Sequence, residues 1–197
     1  MRRTTFDALA ATAGLLLAAV LLTAGILLGW AHSFVSNEVH TQLAAQRIDF
    51  PATTSPAFTA LPKADQAAMA RYAGQQMTTG AQAQTYADHF IARHLTLIGG
   101  GKTYAQLSAA SMAQPANTAL AGQVQTVFRG DTLRSMLLNA YGFWKIGQIA
   151  QIASVVSYAG AGLLLALSLL GLGHLRRAAP DQELFPRKTA PARTSTA

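Results

Sequence analysis

The chain has 197 residues, 51% hydrophobic and 12% charged, with a formal net charge of +7 and no cysteine. That length suits one domain or two small ones, the charged share is roughly half that of soluble domains, and the missing cysteine excludes a disulfide framework, a thiolate metal centre and a thiol nucleophile. The cationic surplus is spread thinly, at +1 over residues 1–7, +3 over the middle of the chain and +3 over residues 174–197. Without a stripe of Lys and Arg interleaved with aromatics it argues against a nucleic-acid partner and for anionic lipid.

Residues 1–7 form a short N-terminus carrying Arg2 and Arg3. From Ala8 to Ala31 there is no charge, and the block is rich in Leu, Ala, Val and Ile. About 20 such residues cross the hydrocarbon of a bilayer, so residues 8–30 are predicted to be a first transmembrane helix. A signal peptide has an apolar region of only about 7–15 residues, and Gly29 to Ala31, which loosely fits a small-x-small cleavage site, holds the bulky Trp30 inside it.

Residues 31–145 read as an extracytoplasmic helical domain, rich in Ala and Gln and lacking alternating β-branched runs. Val35, Val39 and Leu43 continue the first helix outward to about Arg47, and PATTSPAFTALP (51–62) is a loop. Further helices are predicted at about Lys63–Met77, Ala81–Ile98 (ended by Gly99-Gly100-Gly101), Thr103–Ala113 and Asn117–Phe128. Gly130 and Asp131 are expected to supply a turn and the N-cap of a last helix, which Leu133, Leu137, Tyr141 and Trp144 carry towards the membrane.

Residues 146–173 are a second uncharged block and the second predicted transmembrane helix. Residues 174–197 are a basic, Pro-containing tail expected to be disordered. Seven Lys and Arg residues, Arg2, Arg3, Arg176 and Arg177 among them, flank the presumed inner ends. Four, namely Arg47, Arg129, Arg134 and Lys145, flank the outer ends, so both termini are predicted to be cytoplasmic. Trp30 and Trp144, with Lys145 beside the latter, then fall at the outer face as interfacial anchors. Gly25 and Gly29 form a GxxxG, and Ala153, Ser157 and Ala161 repeat every four residues; both rows are candidates for close helix packing.

Chemistry-bearing patterns fail on spacing. Gly101-Lys102-Thr103 lacks the earlier glycine of a phosphate-binding loop, since position 96 is Thr, and reads as a helix end and turn. His89 and His94 are five apart, which puts them on different helix faces; His94 is expected to partner a polar group in the bundle and His89 to lie on the surface. The tripeptide Arg129-Gly130-Asp131 is explained by turn and cap. No serine lies in a nucleophile elbow. Neither a cofactor nor a metal is expected.

The segments FDALAATAGLLLAAVLLTAGILLGWAHSFVSNEVHTQLAAQRIDFP, ARYAGQQMTTGAQAQTYADHFIARHL and FRGDTLRSMLLNAYGFWKIGQIA resemble a group of uncharacterised two-span membrane proteins of actinobacteria. The resemblance covers residues 6 to about 175 and implies a cell-membrane location with two spans. Members of that group sometimes carry the label of aromatic ring-opening dioxygenase. Ring opening of that kind needs iron held by His and carboxylate ligands, and this sequence shows no such spacing. The fold class expected is therefore an all-α membrane protein, two transmembrane helices flanking an extracytoplasmic bundle. The function expected is that of a non-enzymatic accessory or scaffold subunit, with a membrane or envelope protein or a second copy as partner. The alternative is a sensor passing a signal through its helical stalks.

Overall fold

The structure, a computed structural model, describes residues 3–175. Among the described residues everything regular is helical: α1 (Arg3–Gln46), α2 (Pro56–Thr59), α3 (Lys63–Met69) with a 3-10 turn at Ala70–Tyr72, α4 (Gly80–Tyr86), a π-turn at Ala87–Ile91, α5 (Ala92–Ile98), α6 (Tyr104–Ala113) and α7 (Thr118–Leu175). These make two compact units. One, the helix pair, takes the described residues up to Gly29 and those from Ile152 on; the other, the bundle, is Trp30–Gln151.

The helix pair is built on small residues. Ala11, Ala18 and Gly25 on α1 and Ser154, Ala161 and Ser168 on α7 are all buried. Both rows repeat every seven residues, the period of helices crossing at a shallow left-handed angle. The two segments run antiparallel. A Cβ at Gly171 would lie 3.8 Å from the Ala11 Cβ, one at Gly160 would lie 3.1 Å from Leu21 Cδ1, and one at Gly25 would lie 2.9 Å from the Tyr158 ring. Ser154 Oγ donates to the Gly25 carbonyl at 2.7 Å. The large apolar side chains point the other way, with Leu16, Val20 and Leu27 on α1 and Val156, Leu163 and Leu170 on α7 all exposed.

In the bundle, Leu43 and Val39 of α1 and Leu137 of α7 enclose a core with Phe50, Phe58, Leu61, Met69, Met77, Ala83, Ala87 and Ile91. Arg47 closes α1 in the left-handed region (φ 52°), and Gln76 Nε2 caps the Ala44 carbonyl at 2.9 Å. Backbone pairing between Ile48–Phe50 and residues 74–77 pins the following loop: Phe50 N donates to Gln75 O at 2.9 Å and Met77 N to Ile48 O at 2.8 Å. Phe50 is thereby fixed between Tyr72 and Tyr86, with ring centroids 5.4 and 5.2 Å away.

The helix starts follow local chemistry. Thr79 and Thr103 each form a capping box, with Gln82 and Gln106 respectively. Within the loop predicted at 51–62, Ser55 and Pro56 nucleate the single-turn α2, which carries Phe58 into the core. The helix predicted to run to Met77 stops at Tyr72, and Gly74 (φ 73°) turns the chain.

Two further expectations are corrected. Asp131 is not an N-cap, because α7 runs unbroken from Thr118 through Gly130 and Asp131. Gly130 is small for a packing reason: a Cβ there would collide with the Leu95 side chain of α5. The N-cap lies earlier, at Asn117, whose Oδ1 accepts from Leu120 N at 3.0 Å. The helix predicted over 81–98 is interrupted by the π-turn, in which Ala92 N–H reaches back five residues to the Ala87 carbonyl.

Candidate functional site

The π-turn assembles most of the bundle's ion pairs. Single π-turns inside α-helices re-aim side chains and recur at functional positions. Here Asp88 and His89 lie within the turn and Arg93 two residues beyond it. Asp65 of α3, 14% exposed, accepts from His89 Nδ1 at 2.8 Å and has Arg93 Nε 3.1 Å from its other oxygen. The Arg93 N–H is not aimed at that oxygen, so the second contact is an ion pair without an aligned hydrogen bond. Arg134 of α7 pairs with Asp88 at 2.8 Å and also donates from Nε to the Ala87 carbonyl at 3.3 Å. Three helical segments are thus cross-linked through one turn.

Beside these pairs lies an open cleft of about 400 Å³, lined by Arg71, Gln84, Thr85, Asp88 and His89. Arg71 stacks over the Tyr72 ring at 4.6 Å and reaches Thr85 Oγ1 at 3.5 Å. Thr85 Oγ1 donates to the Ala81 carbonyl at 3.0 Å. With Nδ1 committed to Asp65, Nε2 is the ring nitrogen His89 offers to the cleft. The arrangement presents hydrogen-bonding groups to the cleft and orients one imidazole, while Asp65 and Asp88 are spent on cross-linking. Replacing Asp65 by Ala is expected to cost about 1.5–3 kcal/mol, because it strips the partner from His89 and Arg93 together. Replacing Asp88, whose pair with Arg134 is one-third open to solvent, should cost only about 0.2–1 kcal/mol. Denaturant unfolding of both variants checks the order.

Tyr86 sits one residue before the π-turn, between Phe50 and Phe90. Burial, and after it the Asp49 carboxylate, raises its phenol above the ordinary value of 10.0. A raised folded-state value means that the folded chain holds the proton more tightly than the unfolded one. Stability should therefore be intact below about pH 10 and fall as pH rises from there through the folded value. A steeper alkaline loss of melting temperature in the native chain than in Tyr86→Phe is the expected result.

The sequence-predicted positions fall as follows. Gly25 is buried against Tyr158, and a Cβ at Gly29 would lie 3.2 Å from Ser154 Oγ. Ala161 is buried, while Ala153 and Ser157 are only partly covered. The α7 row in the seam is Ser154, Ala161 and Ser168, at a period of seven, and the sequence pattern at a period of four missed two of its three members. Trp30 is 65% exposed and stacks on Phe34 with centroids 5.6 Å apart. Trp144 is instead partly buried against the bundle core, its ring over Gly80. It therefore packs the bundle, whatever else it touches. Lys145 is exposed. Arg2, Arg176 and Arg177 lie outside the described residues, as does the Arg3 side chain.

His94 Nδ1 bonds the Phe90 carbonyl 2.8 Å away, a backbone group of the preceding turn, while His89, expected at the surface, is partly exposed and holds the largely covered Asp65 carboxylate. Gly100 and Gly101 have φ of 57° and 77°, and Gly101 N donates to Thr96 O at 2.9 Å, closing α5 in a glycine cap. Among the described residues no three His, Asp or Glu side chains gather as a metal-binding group. No family model, no curated protein and no solved structure matches this chain.

Proposed function

We propose that the chain is an integral membrane protein whose α1 and α7 cross the bilayer once each, holding the bundle outside the cell as a non-enzymatic accessory or scaffold subunit. One observation carries the membrane reading. The most apolar stretches of α1 and α7 are only 17% and 11% buried. A core helix of a soluble protein hides such a face, whereas these helices turn their leucines and valines outward and keep Gly, Ala and Ser for each other. That is the inversion lipid imposes, because apolar burial gives no drive for helix association there and close packing replaces it. The excess of Lys and Arg beyond the inner ends supports cytoplasmic termini. Action by contact is supported by the bundle's acidic groups, of which Asp65 and Asp88 cross-link helices.

The native chain has no cysteine, so single-cysteine variants report topology cleanly. In intact cells an impermeant maleimide should label Thr53→Cys and spare Ser195→Cys, and the chain should stay in the membrane pellet after alkaline carbonate. The reverse labelling or carbonate release would overturn the reading. For the scaffold role, crosslinking in cells followed by mass spectrometry should return a reproducible membrane or envelope partner; a chain always recovered alone counts against it.

A further inference from the structure

The cleft beside the π-turn differs from an ordinary surface gap in that the groups opening into it are already held in place. Arg71, Thr85 and His89 all line its volume of about 400 Å³. The Arg71 guanidinium is fixed from two directions, by the Tyr72 ring 4.6 Å away and by the Thr85 hydroxyl at 3.5 Å. Thr85 is buried and gives its own proton to the Ala81 carbonyl, so towards Arg71 it acts as an acceptor. Asp65 fixes the His89 ring through Nδ1. In the neutral ring Nδ1–H is then the donor, and Nε2 is left to the cleft as an acceptor.

The charges leave one cation over. Asp88 is paired with Arg134, and Asp65 is shared by His89 and Arg93. Among the described residues no carboxylate lies within ion-pair distance of Arg71. Its one side-chain hydrogen bond, to Thr85, leaves most of the guanidinium N–H groups unspent. A guanidinium already ordered by its neighbours gives up little freedom when an anion arrives.

We propose that this cleft binds a small carboxylate that also carries an O–H or N–H donor, as hydroxy acids and amino acids do. The carboxylate takes the Arg71 fork, whose parallel N–H groups match its two oxygens. The donor takes His89 Nε2. Arg71 touches Thr85, and Thr85 and His89 are four residues apart on one helix face, roughly 5–6 Å between Cβ atoms. That separation suits a ligand of a few heavy atoms. Gln84 and Asp88, on the same wall, offer its substituents further polar contacts. A dianion such as phosphate is disfavoured, because its second charge would face Asp88 with only Arg134 to offset it. Binding depends on neither the scaffold role nor the membrane topology, since the bundle carries every group named.

The test follows the ring signals of the full chain, labelled with nitrogen-15 at its five histidines and purified in mild detergent. It is titrated at constant ionic strength with glycolate, glycine, acetate and inorganic phosphate. Glycolate or glycine should shift the His89 signal saturably, with half-saturation at or below about 10 mM. Acetate, which lacks the donor, should bind about fivefold more weakly or worse. Arg71→Gln should weaken binding about tenfold or more, and Arg71→Lys, which keeps the charge and loses the fork, should weaken it too. Ala67→Asp puts a carboxylate on an exposed α3 position of the cleft wall and should suppress binding by occupying Arg71 from within. Unmoved His32 and His94 signals show that a variant keeps its fold; if Arg71→Gln moves them, Ala67→Asp decides. A glycolate and glycine series without saturation, acetate binding as tightly as both, phosphate binding more tightly than either, or full binding in Ala67→Asp overturns the assignment.

Discussion

Replacing Phe50 by Ala is expected to destabilise the bundle by about 3–5 kcal/mol. Phe50 is 2% exposed and lies where three independent constraints meet. Its amide is paired to Gln75 and its carbonyl accepts from Gly74. Its ring lies tilted on Tyr72 and edge-on to Tyr86, from which the aromatic series continues through Phe90 to His94. Truncation leaves a void whose walls are held by backbone pairing and the π-turn, so little relaxation offsets the loss. Phe128→Ala, at a ring 47% exposed, should stay within about 0.5 kcal/mol of the native chain apart from its contact with Tyr104. Near-ultraviolet circular dichroism of tyrosine during denaturant unfolding reads both, and equal effects would show that Phe50 is not at the centre of the core.

Gly80→Val should be the second large perturbation, about 1–3 kcal/mol by overpacking. Glycine opens α4 directly beneath Trp144; an added Cβ would lie 2.6 Å from Trp144 Cγ and 3.0 Å from Cδ2. The nearest atoms belong to the root of the side chain, which cannot swing aside without moving α7. In a Trp144→Ala background the ring is gone and only its Cβ remains in the way. The same substitution should then cost less, with a coupling of about 0.5–3 kcal/mol. Equal costs in the two backgrounds would mean that α4 and α7 do not meet at this pair.

The places where sequence and structure part company have physical causes. Apolar block lengths and hydrophobic spacing announced α1 to within a residue or two of Arg47, and the triple glycine marked the end of α5, because these signals are local. Gly130-Asp131 carried the same local signal and misled. Its glycine answers a distant leucine across the bundle, and a pair of residues that can begin a helix is equally compatible with its middle. The π-turn left no mark at all, since one extra residue in a helix changes neither composition nor apolar period enough to register. The pairing of Asp65 with His89 depends on where that extra residue turns the imidazole, so it was not legible. In the helix pair, Gly25 and Ala161 are buried, but Ala153, Ser157 and Ala161 are as evenly spaced in the sequence as Ser154, Ala161 and Ser168, and only the partner helix chooses between the two rows.

The composition of the bundle core sets an order of events during synthesis. Val39 and Leu43 come from α1, and Leu137 and Trp144 from α7, so a nascent chain cannot close this core until roughly 100 further residues have been added. At ribosomal speeds that is about 5–20 s, during which Phe50, Phe58, Met69 and Met77 lack the α7 partners that complete their cover from water. The short capped helices between them can form early, but each is too brief to persist alone. The bundle is therefore a late, all-at-once event that waits on the arrival of α7, and its precursor is the state in which proteases and holding chaperones have their opportunity.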